Sequence, residues 1–182
     1  MQAQHPDCLA GSPRFQEDPK PHTTWLRRGN RSSKRRSDGA ANPRRQLGDV
    51  AVMKLLLDTC CIIWAVSEPS AISKDAGALL TADESEIYVS VISVAELACA
   101  VERRRIIIDR HWKKWFRHYI ELNNWQVENV SLEIMEEAYS LPDTFHADPA
   151  DRIITATARL NDYTVLTADK KILAYPHVKS AW

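Results

Sequence analysis

The run Leu55-Leu56-Leu57, followed at once by Asp58, restricts this chain more than any other stretch. From Lys54 to Asp58 the pattern leaves no polar face, as expected of a strand buried on both sides within a covered sheet. The segments that follow alternate in type. A helix is expected over about Cys60 to Val66, broken near Glu68-Pro69, and another from an N-cap at Ser73 through Leu80. Ile87 to Ser90 reads as a strand. Ser93 is expected to cap the next helix, with Glu96 in capping-box position, Ala95, Cys99 and Ala100 facing inward, and Arg103 to Arg105 at its end.

A basic aromatic helix over His111 to Leu122 comes next, then a strand over Trp125 to Val130 and a helix over Ser131 to Leu141. Asp148 and Pro149 suit the N-cap and first position of a helix reaching Leu160. Tyr163 to Thr167 reads as a strand, Lys170 to Ala174 as a short helix and Val178 to Ala181 as a last strand. Strands separated by helices predict an α/β fold, a three-layer α/β/α sandwich on a mainly parallel sheet of about four to five strands.

Residues 1 to 52 differ in kind. They hold ten Lys/Arg against five Asp/Glu, four of the five glycines and five of the nine prolines, with no sustained apolar periodicity. Such a segment buries too little apolar surface to offset its chain entropy, so disorder is expected there. The abrupt start of apolar sequence at Met53 leaves two readings open: a mis-assigned start, or a basic extension adding nonspecific affinity for nucleic acid. Nothing in it resembles a secretory signal, and no apolar stretch suits a membrane span. Cys8, Cys60, Cys61 and Cys99 form no C-x-x-C pair and no zinc spacing, which suggests a reducing, cytoplasmic setting, with adjacent Cys60 and Cys61 as small apolar fillers.

Four acidic residues fall at the carboxyl ends of the expected strands, the edge where open α/β sheets bind ligands. Asp58 ends the first strand, Glu96 lies in the helix after the second, Asp151 opens the helix begun by Asp148-Pro149, and Asp169 follows Tyr163 to Thr167. Each has an ordinary structural reading: Glu96 as a capping-box partner, Asp148 as an N-cap, Asp151 as a helix-dipole partner and Asp169 as a turn residue. Two carboxylates about 5 Å apart repel by roughly 3 kcal/mol at an effective dielectric of 20. Their convergence therefore calls for protons or a cation, and hard divalent ions with oxygen ligands are the usual answer.

Leu55-Leu-Leu-Asp-Thr59, Ser93-Val-Ala-Glu-Leu97, His146-Ala-Asp-Pro-Ala-Asp-Arg-Ile-Ile-Thr-Ala-Thr-Ala158 and Leu166-Thr-Ala-Asp169 resemble the successive acidic motifs of PIN-domain ribonucleases. The VapC-type toxins of toxin–antitoxin pairs are the most similar group, and the likeness spans residues 53–182. It implies a PIN-like nuclease domain that cuts RNA with Mg²⁺ or Mn²⁺ held by Asp58, Glu96, Asp151 and Asp169, with Asp148 as an additional acidic position. Thr59 and Thr167 could supply hydroxyls that orient those carboxylates. The resemblance further implies a cognate antitoxin and a homodimer as partners.

Arg103, Arg104, Arg105, Arg110, Lys113, Lys114 and Arg117 form a basic patch that could grip RNA phosphates, with Trp112 or Trp115 available to stack a base. A solvated helix face over a tryptophan core is the competing reading. His146 is left outside the catalytic set, as a hydrogen-bonding loop residue. Two other functions compete with the nuclease. A phosphoryl-transfer enzyme of the haloacid-dehalogenase kind wants a second Asp two residues after the first, where Cys60 stands. A catalytically silent PIN-like or receiver-like binding domain would use the acidic pocket only for docking; retention of all four acids argues for the enzyme.

Overall fold

In the computed structural model, residues 52–182 are described. The reading of residues 1–52 as a disordered basic extension or mis-assigned start falls outside them, save for Val52.

Five strands form one all-parallel sheet in the order β3-β2-β1-β4-β5: β1 (Met53–Leu57), β2 (Ser85–Ser90), β3 (Gln126–Glu128), β4 (Thr164–Leu166) and β5 (Lys179–Ala181). Because β1 lies at the centre with neighbours on both sides, its last three residues are wholly buried. Their side chains alternate between the two faces, as the pleat requires. Leu55 and Leu57 join Ile87, Val89 and Leu166 in one core, whereas Leu56 joins Tyr88 and Val165 in the other. The unbroken leucine run is thus the signature of a strand with two cores rather than one.

Helices cover both faces. Cys61, Ile62 and Ile63 of α1 (Thr59–Ser67), Ala76 of α2 (Lys74–Thr81), Leu97 of α3 (Ile92–Glu102), and Trp115 and Phe116 of α4 (Trp112–Asn123) fill the first core. Ile154 and Ala158 of α6 (Pro149–Asn161) and Ile172 of α7 (Lys170–Leu173) fill the second. Outside them, Ile134 and Ala138 of α5 (Leu132–Ala138) pack on Ile153 and Ala156 of α6. The expected three-layer α/β/α sandwich is the observed architecture.

Local chemistry sets the helix ends. Ser73, Ser131 and Asp148 accept backbone N–H bonds at the N-termini of α2, α5 and α6. Asn124 and Asp162 take left-handed φ values of 54° and 56° to close α4 and α6. The expectation at Ser93 fails. The helix begins two residues earlier, with Val91 at the cap position, and Ser93 is wholly buried within it. Ala100 faces inward as expected, but Ala95 and Cys99 are exposed; Ser93 and Leu97 complete the inward stripe. β3 and β4 are shorter than the Trp125 to Val130 and Tyr163 to Thr167 expected, their ladders covering only Gln126 to Glu128 and Thr164 to Leu166. Cys61 donates its thiol to the Leu166 carbonyl and Cys60 is buried, consistent with a filler role for both.

Trp115, 2% exposed in the first core, is a direct test of this packing. Trp115→Ala is expected to cost about 3–5 kcal/mol, read as a lower denaturant midpoint with an unchanged slope.

Candidate metal centre

The strand order places a topological switch between β1 and β4. The chain runs outward from β1 through β2 to β3, then returns to the opposite side of β1 as β4. Loops leaving the two strands part in opposite directions, opening a crevice at their carboxyl ends. Asp58 leaves β1 on one wall, and its backbone N–H donates to the Leu166 carbonyl at the end of β4 (3.1 Å). From the β4 side, the Thr167 hydroxyl donates to Asp58 Oδ2 (2.6 Å) and accepts the Asp169 N–H (2.9 Å). Asp58 and Asp169 are therefore tied to the same threonine across the crevice.

The other acids arrive on helices. Asp148 caps α6 by accepting the N–H groups of Ala150 (3.0 Å) and Asp151 (3.3 Å), which directs Asp151 in the first turn into the crevice. Glu96 projects from the second turn of α3 and accepts the Thr59 hydroxyl (2.5 Å). Sequence reasoning assigned Glu96 to Ser93; the structure gives it to Thr59, one residue beyond Asp58. Asp58, Asp151 and Asp169 are buried, at 4%, 5% and 7% exposure.

Burial and mutual repulsion act together here. Burial first, then the carboxylates of Asp58, Asp148, Glu96 and Asp169, push Asp151 up to about 9. Glu96 is raised to about 7, again by burial first and then by Asp58 and Asp148, against the favourable Thr59 hydroxyl. Asp58, Asp148, Glu96 and Asp169 all lie near enough to Asp151 for their charges to act on it. Asp151 Oδ2 is buried without a hydrogen-bond partner, an expensive arrangement unless something positive fills the space.

His146 is the residue that sequence reasoning left out. Its Nδ1 lies 3.6 Å from Asp151 Oδ2, and donor atoms of His146, Asp151 and Asp169 all lie within 4.8 Å of one another. Burial first, then the positive charge of Lys171, lowers its pKa and favours the neutral ring. Arg152 holds the segment bearing His146 in place by donating to the carbonyls of Ala138 (2.9 Å) and Phe145 (2.8 Å). The sequence carried one hint, a histidine two residues before the helix cap.

Residues 55–178 match the family described as PIN domain. The chain belongs to the PIN-domain family. Over 124 residues it is 32% identical to Ribonuclease VapC22 of Mycobacterium tuberculosis, covering 68% of this chain and 92% of that protein. The structure of VapBC2 from Rickettsia felis, solved bound to a DNA fragment from its promoter, has the same fold. It superposes with a TM-score of 0.53 at 18% identity, over 71% of this chain and 98% of that one. The acidic crevice of this PIN domain suits a divalent cation: its donors are hard oxygens, one of them unpartnered, and a cation offsets the repulsion that raises Asp151 and Glu96.

The raised carboxyl has a measurable consequence in cation-free protein. Between its unfolded value of 3.8 and its folded value of about 9, Asp151 carries a proton only in the folded state. Rising pH must strip that proton, so Asp151 increasingly destabilises the fold from about pH 4 to pH 9. Asp151→Asn, with chelator present, is expected to raise stability by on the order of 1–3 kcal/mol at pH 7. Unfolding curves across the range should show that gain shrinking to nothing near pH 4.

Proposed function

We propose that this PIN domain is a metal-dependent endoribonuclease acting as the toxin of a toxin–antitoxin pair. The observation that carries this reading is the buried acid cluster with its unpartnered Asp151 oxygen, in a chain related to a protein named as a ribonuclease. Asp58, Glu96, Asp151 and Asp169 are assigned as the ligands of Mg²⁺ or Mn²⁺, with Asp148 contributing charge from the helix cap. When bound, the cation offsets the clustered negative charge, acidifies water and stabilises negative charge developing on phosphate oxygens.

The chain's own residues supply position. Thr59 fixes one oxygen of Glu96 and Thr167 one oxygen of Asp58, so neither carboxylate must be reoriented when RNA arrives. The reaction is a hydrolysis: water attacks a backbone phosphorus and the 3′-oxygen leaves. Arg103, Arg104, Arg105, Lys113, Lys114 and Arg117 are all exposed and form the phosphate-binding patch, while Arg110 is paired with Asp109 at 2.6 Å. A stacking role for Trp115 is ruled out by its burial; Trp112 is half-buried at the edge of the patch.

A cognate antitoxin that covers the crevice and a second copy of the chain complete the proposed partners. Among the described residues no helix is long and apolar enough to cross a membrane.

Purified full-length chain is expected to cleave RNA with Mg²⁺ or Mn²⁺, and Asp58→Asn or Asp151→Asn to lower the rate at least about 100-fold. Full activity in both variants would sink the assignment. Growth arrest on induced expression should likewise disappear with Asp151→Asn. The double change Lys113→Ala/Lys114→Ala is expected to weaken RNA binding evenly across sequences and to reduce the salt dependence of affinity by a slope of about 1–2.

A further inference from the structure

We infer that His146 is a nitrogen ligand of the same cation, and that it tilts the centre toward Mn²⁺ over Mg²⁺. This rests on reading the acidic crevice as a cation site and extends it to a residue outside the acid set. The geometry of the histidine is unusual for a hydrogen-bonding side chain. At 3.6 Å, Nδ1 stands too far from Asp151 Oδ2 for a good hydrogen bond. Adjacent donors of an octahedral ion with bonds of about 2.0–2.2 Å stand about 2.8–3.1 Å apart, so a side-chain shift of about half an ångström brings both onto one ion.

Four further observations point the same way. Asp151 is 5% exposed and its Oδ2 has no hydrogen-bond partner, so the oxygen facing the imidazole lacks the donor that a buried carboxylate requires. His146 Nε2 is buried without a partner as well, so the ring's place is not explained by hydrogen bonding. The ring is nonetheless held. Its side chain is 16% exposed, it stacks on buried Phe145 with centroids 4.3 Å apart, and Arg152 grips the Phe145 carbonyl. Asp169, the third donor, is itself fixed by the N–H of Lys171 at 2.7 Å.

An imidazole changes what the site selects. Mg²⁺ favours oxygen ligands and gives up its waters reluctantly, whereas first-row transition ions accept nitrogen readily. An all-oxygen centre would accept either ion on the basis of charge. A centre with His146 gains affinity chiefly for the transition ion.

Full-length protein loaded with Mn²⁺ and measured by pulsed electron paramagnetic resonance separates these cases. The expected result is a ¹⁴N coupling to bound Mn²⁺ that becomes a ¹⁵N pattern when the histidines are ¹⁵N-labelled. His146→Gln or His146→Asn should abolish the coupling and lower Mn²⁺ affinity by about 10-fold, with Mg²⁺ affinity changed less than about 3-fold. Bound Mn²⁺ without a histidine coupling, or a coupling that persists in both variants, overturns the role of His146 and leaves the acidic centre standing. Failure of the wild-type chain to bind either Mn²⁺ or Mg²⁺ overturns the cation reading and this inference with it. The labelling result on wild-type protein stands even where one variant does not fold.

Discussion

Carboxylates brought together at the exits of adjacent strands repel one another, and the fold must hold them against that force. Asp58 sits at the end of a strand whose last three residues are wholly buried, so its backbone cannot retreat. Asp151 is held by the cap of α6, and Asp169 by the backbone of the turn that opens α7. The strain is visible in the protonation of the site: Asp151 is raised to about 9 and Glu96 to about 7. A chain built only for stability would place apolar or neutral groups here. The acids are held in an arrangement whose repulsion a proton or a bound cation would relieve.

Hydroxyls and backbone amides make that arrangement specific. Thr167 connects Asp58 with Asp169, and Thr59 reaches from the start of α1 to Glu96 on α3. Each threonine adjoins or nearly adjoins an acid in sequence: Thr59 follows Asp58, and Thr167 lies two residues before Asp169. The pairing is crossed, with each hydroxyl serving an acid from a different element. The two crossed bonds lock the sheet edge and the covering helices into one framework, which is how a small domain keeps a charged cavity from collapsing or spreading.

Much of this was legible in the residues. The leucine run demanded two covered faces and the Asp148-Pro149 pair marked a helix start; Asp58 follows directly on β1, whereas Glu96 comes from the second turn of α3 and Asp151 from the first turn of α6, which follows α5 rather than a strand. Other features depended on three-dimensional context. Ser93 looked like a cap because caps are polar, yet two apolar residues lead into α3 and the serine falls inside. Ala95 and Cys99 are small enough to suit either face of a helix, so composition alone could not orient them. Trp115 and Trp112 share a helix, but only packing against the sheet decides which one is core. His146 was passed over because its relation to Asp151 and Asp169 arises from a loop folding back, which neither periodicity nor spacing records.

Arg152 gives the centre a reach beyond its own cavity. One guanidinium ties α6 to the carbonyls of Ala138 and Phe145, so the segment after α5 is fastened to the helix that carries Asp151. Local opening of that segment would break those bonds and displace His146 and Asp148 from beside Asp151. By linkage, a cation that favours the closed form slows amide exchange along residues 139–148. A protein that captures the segment in an open form would weaken any hold on a cation by moving His146 and Asp148, without contacting Asp58, Asp151 or Asp169.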